Sequence, residues 1–190
     1  MGTRFLIVPA LMAGVVASAL AAQETYVIDP AHTIPMFEVT HLGMSQQRGF
    51  FTNASGKVEL DRAARSGSIQ IVIGTGSVMT ASRVMTDVLK RDYFNAEQFP
   101  VMTFKSRDLV FDGELPVGAN GELTLLGVTR PVALKITRFR CGTHPIFRRA
   151  ICGAEAGTMI RRSEFGMTTG LPDAVGDEVK IIIPVEAMRE

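Results

Sequence analysis

Side chains able to do chemistry are scarce in this chain of 190 residues, which has three histidines and two cysteines. His32 and His41 stand on either side of Glu38, an imidazole and carboxylate set that could ligate a divalent cation or move a proton. In an extended strand, however, Glu38 points to the face opposite an odd-numbered neighbour such as His41, so joint ligation needs a bend. The preferred reading is that both imidazoles satisfy buried backbone groups near a rim, and no metal site is expected. His144 falls in the turn-forming run Gly142-Thr143-His144-Pro145 and reads as a surface residue. Arg161 and Arg162 could fork onto an anionic head group or pair internally with Glu164 or Asp177, and the internal pairing is preferred. No serine stands in Gly-x-Ser-x-Gly, so acyl-enzyme chemistry has no support.

Charge and composition narrow the field further. Twenty Lys+Arg against nineteen Asp+Glu give a formal charge of +1 with no cluster of one sign, which argues against a nucleic-acid partner. At 46% hydrophobic residues the chain is an ordinary globular one of a single domain. Its first segment has a different purpose. Arg4, an apolar run from Phe5 to Val16 and the small-residue pattern Ala19-Leu20-Ala21 predict a secretory signal over residues 1–21. The mature domain then spans residues 22–190, in the periplasm or secreted. Export changes what the cysteines mean, because disulfides persist in oxidising compartments. The turn signal between Cys141 and Cys152 lets two adjacent strands bring them face to face, so a Cys141–Cys152 disulfide is expected. A redox thiol pair is not, since Cys-x-x-Cys spacing is missing.

These groups must be held by strands. Period-two alternation recurs in short runs bounded by Gly, Pro, Asn or Asp. Candidate strands are Met36 to Leu42, Gly56 to Asp61, the run holding Ile69, Ile71 and Ile73, Val101 to Leu109, Glu122 to Leu126, Pro131 to Phe139, Ile151 to Arg161 and Glu178 to Ala187. About eight strands with short turns indicate an all-β barrel or sandwich. Only Ala81 to Arg91 has helical spacing, with Val84, Met85, Val88 and Leu89 forming one apolar stripe.

Several segments together resemble the YceI-like family of secreted lipid-binding proteins. Tyr26-Val27-Ile28-Asp29-Pro30-Ala31-His32-Thr33 leads to Phe37, Val39, His41 and Leu42-Gly43, then Arg48-Gly49-x-Phe51. Phe94, Phe99-Pro100 and Thr103-Phe104-Lys105-Ser106 follow. Gly121-x-Leu123-Thr124 with Gly127-Val128-Thr129-x-Pro131-Val132 is similar to the family's central hairpin. Arg162 to Met167 and Val175 to Val179 are similar to its C-terminal motif. One departure lies in the helix, where Thr86-Asp87 stands in place of the family's frequent Arg-Asp.

The resemblance implies an extended lipocalin-like antiparallel eight-stranded β-barrel with one short helix near an end. It also implies an exported carrier or binding protein that performs no covalent chemistry and uses no cofactor. Its ligand would be a long isoprenoid (a quinone or polyprenyl phosphate) or a fatty-acid-like lipid. The alternative is an extracytoplasmic enzyme acting on a small apolar substrate in the same cavity, using His32 and His41. Phe37, Val39, Phe51, Met102, Phe104 and Phe165 are expected to line the cavity. The Ala81 to Arg91 helix and the loop after it are expected to form a movable lid, with Met79, Met85 and Leu89 touching the ligand. Transient membrane contact and a homodimer are both compatible with such a carrier.

Overall fold

The computed structural model describes residues 23–190, so the expected signal over residues 1–21 lies outside the described residues. The first strands are β1 (Glu24–Ile28), β2 (Met36–His41), β3 (Ser45–Phe51), β4 (Ala54–Asp61), β5 (Ser66–Gly74) and β6 (Val78–Met79). After the helix α1 (Arg83–Val88) come β7 (Val101–Asp112), β8 (Leu115–Leu125), β9 (Val128–Thr143), β10 (Ala150–Arg161) and β11 (Val175–Arg189). Every pairing is antiparallel, and the ladder β1-β4-β5-β7-β8-β9-β10-β11 closes because β11 returns to β1.

The ring has eight staves, three of them made of two strands each. β1 and β2 both pair with β11, at Ile28↔Ala187 and Met36↔Ile182, so they follow one another along a single stave. β4 and β3 form the next, pairing with β1 and β2 respectively, and β5 and β6 the third. All three breaks meet in one belt. Pro30 and Pro35 have no N–H for a ladder, and the polar groups around them find other partners. Phe51 N–H donates to Pro35 O at 2.9 Å, Thr52 N–H to Ser77 O at 3.2 Å and Gly74 N–H to Asn53 O at 3.0 Å. Thr33 Oγ1 bonds both the carbonyl and the N–H of Glu186.

Geometry requires glycine at several positions, Gly127 and Gly49 among them. The β8–β9 hairpin turns on Leu126 and Gly127, both at positive φ (51° and 74°), the two-residue connection whose twist suits antiparallel strands. Gly49 lies beneath the Phe37 ring, where a Cβ would collide with it.

The alternation expected along the chain is present, and the observed strands extend most of the expected ones. Three were missed, β1, β3 and β6, together with the first half of β8. Helical structure begins two residues later than expected and continues through Leu89–Tyr93 in a widened turn, Phe94 N–H reaching back five residues to Leu89 O. Ser82 caps it, its side chain accepting from Met85 N–H. The expected apolar stripe is incomplete, because Val84, in the first turn, is 74% exposed. Cys141 and Cys152 are directly opposed on β9 and β10 and are joined by a disulfide, as expected.

Candidate functional site

Side chains pointing into the ring do not meet in the middle. Ile69, Ile71 and Ile73 on β5, Val132, Leu134 and Ile136 on β9, and Val179, Ile181, Ile183 and Val185 on β11 are only half-buried despite facing inward. They face a cavity of about 650 Å³ running along the barrel. Close-packed interiors have few voids larger than a water molecule, so a hollow of this size is a built feature. It falls within the usual range for small-molecule sites, roughly 300–1,000 Å³.

The two ends differ. At one, Tyr26, Ile28, Leu60, Cys152 and Ala187 pack with Phe111 and Phe139 into an apolar floor. Toward the other, exposed lining residues gather in two segments, Gln46, Gln47 and Arg48 on β3 and Ala81, Ser82 and Met85 in and before α1. The cause is in the pairing. β6 covers β3 only at Phe50 and Phe51, and beyond that point a helix, which offers no ladder, takes the place of a strand. The gap between β3 and α1 is the mouth. Just inside it Phe37, Phe51 and Phe94 form an aromatic cluster with ring centroids 5.3 to 6.5 Å apart. Tyr93, at the end of the helical segment, lines the same region.

Of the nine side chains expected at the ligand, seven line the cavity: Phe37, Val39, Phe51, Met85, Leu89, Met102 and Phe104. Two do not. Met79 is 39% exposed, because the adjacent Val78 takes the inward position on β6 and strand neighbours face opposite ways. Phe165 is 1% exposed and sits on the tight turn Arg162–Phe165, packed in the cluster beside the cavity and not in its wall. Tyr26, Tyr93 and Phe94 line the cavity without having been singled out. Tyr26 and Phe94 stand in family-like segments, while Tyr93 follows from the helical spacing that places Leu89 inward.

Residues 26–187 match the YceI-like domain. The chain belongs to the YceI-like family. A UPF0312 protein of Enterobacter sp. strain 638 is 32% identical over 175 residues, covering 91% of this chain and 90% of that protein. Protein YceI of Salmonella arizonae is 31% identical with the same coverage. Among solved structures, BcnA of Burkholderia cenocepacia superposes with a TM-score of 0.71 at 24% identity, covering 84% of this chain and 98% of BcnA. A polyisoprenoid binding domain from Saccharophagus degradans gives 0.65 at 16% identity, covering 87% and 98%. At these identities the structures share the fold.

The polar groups of this YceI-like barrel are arranged differently from the sequence expectation. His32 is exposed, and does not satisfy a buried backbone group: its Nδ1 lies 2.7 Å from Asp29 Oδ2, which raises the imidazole pKa and lowers that of the carboxyl. His41 lines the cavity near the mouth, at the far end of β2 from His32. Glu38 faces outward and pairs with Arg48 at 2.7 Å and Lys180 at 3.5 Å. Asp29, His32 and Glu186 bring ligand-type atoms within 4.8 Å of one another, a grouping the sequence hid by placing Glu186 on another strand. His144 is half-buried, and its Nδ1 accepts from the Ile146 and Phe147 N–H groups.

Arg162 pairs with neither acid expected for it. It is 2% exposed in the cavity wall and donates to the carbonyls of Gly176, Met167 and Val175 at 2.7 to 2.8 Å, with its guanidinium 5.6 Å from the Tyr93 ring centroid. Desolvation lowers its pKa. Asp177 instead accepts from the N–H and hydroxyl of Ser163 at 2.8 Å, which lowers its own pKa. The arginine therefore ties the β10–β11 loop to the barrel and leaves one positive charge beside the apolar hollow.

Proposed function

We propose that the protein is an exported lipid carrier or binding protein that encloses a long isoprenoid, as a quinone or polyprenyl phosphate, or a fatty-acid-like chain. One observation carries this reading: a cavity of about 650 Å³ with an aliphatic and aromatic wall, an apolar cluster at one end and exposed lining residues between β3 and α1. Burial alone accounts for affinity. At roughly 0.8 kcal/mol per methylene, a dozen methylenes contribute on the order of 10 kcal/mol before the chain is ordered. The solved relative from Saccharophagus degradans is described as polyisoprenoid binding, which supports the same ligand class here. The Cys141–Cys152 disulfide fits an oxidising compartment. Among the described residues no helix is long and apolar enough to cross a membrane.

The enzyme alternative would draw on His32 or His41 as its reactive group. β2 holds them apart, and only His41 reaches the cavity. The discriminating experiment is organic extraction of protein purified without detergent, followed by mass spectrometry. Near-stoichiometric lipid with one long chain is expected. An empty cavity, with turnover of an apolar substrate that disappears in His41→Ala, would replace the carrier by the enzyme.

A further inference from the structure

At the floor end, far from the mouth, the β9–β10 hairpin carries a group of side chains that the cavity does not use. Ile146 is 78% exposed and Phe147 59% exposed, side by side at the tip. Such exposure usually accompanies a mobile loop, yet this one is tied at each level. The Cys141–Cys152 disulfide staples its base. Above it His144 N–H donates to Arg149 O at 2.8 Å and Arg148 N–H to His144 O at 2.9 Å. His144 Nδ1 accepts the Ile146 and Phe147 N–H groups at 3.2 Å, and the two rings of His144 and Phe147 stack with centroids 4.6 Å apart. The tip is thus pre-ordered with its apolar side chains in water.

The hairpin's own charges have one sign, with Asp29 and Glu186 the nearby acids on other segments. Arg138, Arg140, Arg148 and Arg149 fall between residues 138 and 154, a stretch with no acid. All four are exposed, and the ion pairs among the described residues involve other groups. We propose that this hairpin tip docks the protein on an anionic lipid bilayer, Ile146 and Phe147 entering the interface and the arginines meeting lipid phosphates. The shape decides between a bilayer and a protein. A convex tip of two apolar residues is far below the roughly 800 Å² per partner of a stable protein interface, whereas an interface of lipid head groups admits single side chains. Arginine beside an aromatic and an aliphatic residue suits that boundary, where basic groups gain from the negative surface potential. Docked this way, the barrel stands with its mouth toward water, free to exchange lipid with a soluble partner. The proposal rests on this surface alone, whatever the cavity holds.

Co-sedimentation of the purified protein with vesicles tests it, using phosphatidylcholine alone and an equimolar mixture with phosphatidylglycerol. Wild-type protein is expected to bind the mixed vesicles and to be released by salt. Ile146→Ser with Phe147→Ser should weaken binding by about tenfold or more, and Arg148→Glu should remove the preference for anionic vesicles. Met44→Ser, at the 86% exposed methionine of the β2–β3 turn on the opposite end, should bind like wild type. Melting curves and the content of extracted lipid verify that each variant is folded and loaded. Wild-type protein that ignores both vesicles, or tip variants that bind undiminished, would overturn the proposal, as would loss of binding in Met44→Ser alone.

Discussion

Phe104 is the most direct residue-scale test of the cavity. It is 8% exposed, lines the hollow and alternates with the outward Lys105 on β7. Phe104→Asp puts a carboxylate into an apolar stretch of the wall, and the folded variant is expected to lose co-purified lipid. Wild-type lipid content in a folded Phe104→Asp protein would remove the ring from the binding surface. Tyr26 provides a test by pH. Burial and the hydrogen bond from its hydroxyl to Glu24, 2.6 Å long, push its pKa from 10 up to about 12. Between those values the unfolded chain releases a proton that the native protein retains, so stability present below pH 10 declines as pH rises toward 12. The loss should be on the order of 2 kcal/mol at the top of the window. Wild-type melting temperature should fall more steeply there than that of Tyr26→Phe, and parallel curves would show that the phenol is not responsible.

At the scale of elements, α1 and the turn after it decide how a ligand enters. Met85, Val88 and Leu89 form part of the cavity wall while the outer side of the helix is open to water, and no ladder binds it to β3. Elements with few ladder bonds open at lower free energy than paired strands. Residues 79–95 are therefore expected to gain more hydrogen-exchange protection on lipid binding than any other segment. An unchanged segment with gains around the β7–β8 and β9–β10 turns would make the helix a fixed plug. What the sequence allowed to be read divides along the same line. Alternation in β9 was visible because that strand has a half-buried inner face and an exposed outer one. β3 was not, since its Ser45-Gln46-Gln47-Arg48 run borders the mouth and is wet on both faces. Met79 was misplaced because it was grouped with the lid, whereas it belongs to β6, where Val78 takes the inward position. The partners of Arg162 are backbone carbonyls, which no side-chain pattern reveals.

For the whole molecule, closure of the ring by hydrogen bonds and the single disulfide make separable contributions. Cys141 and Cys152 bridge strands that are already paired through most of their length, so the bond closes only a short loop. Reduction is expected to cost about 2–3 kcal/mol on the chain-entropy account while the barrel survives. Melting with and without reductant checks this: no change, or complete unfolding at ambient temperature, would each contradict it. The cavity also makes stability depend on cargo, since a ligand that binds only the native state raises its melting temperature by mass action.

The chain has two tyrosines and no tryptophan. One, Tyr26, is set in the floor and the other, Tyr93, close to the mouth, so the intrinsic ultraviolet emission of the protein arises from two points that bracket the hollow. A quinone ring is a strong energy acceptor at short range and a saturated chain is not. A quinone lodged with its ring at the mouth should therefore quench Tyr93 more than Tyr26, and a fatty acid neither. Titrations of Tyr26→Phe and Tyr93→Phe, each leaving one emitter, would report which end of the ligand enters first.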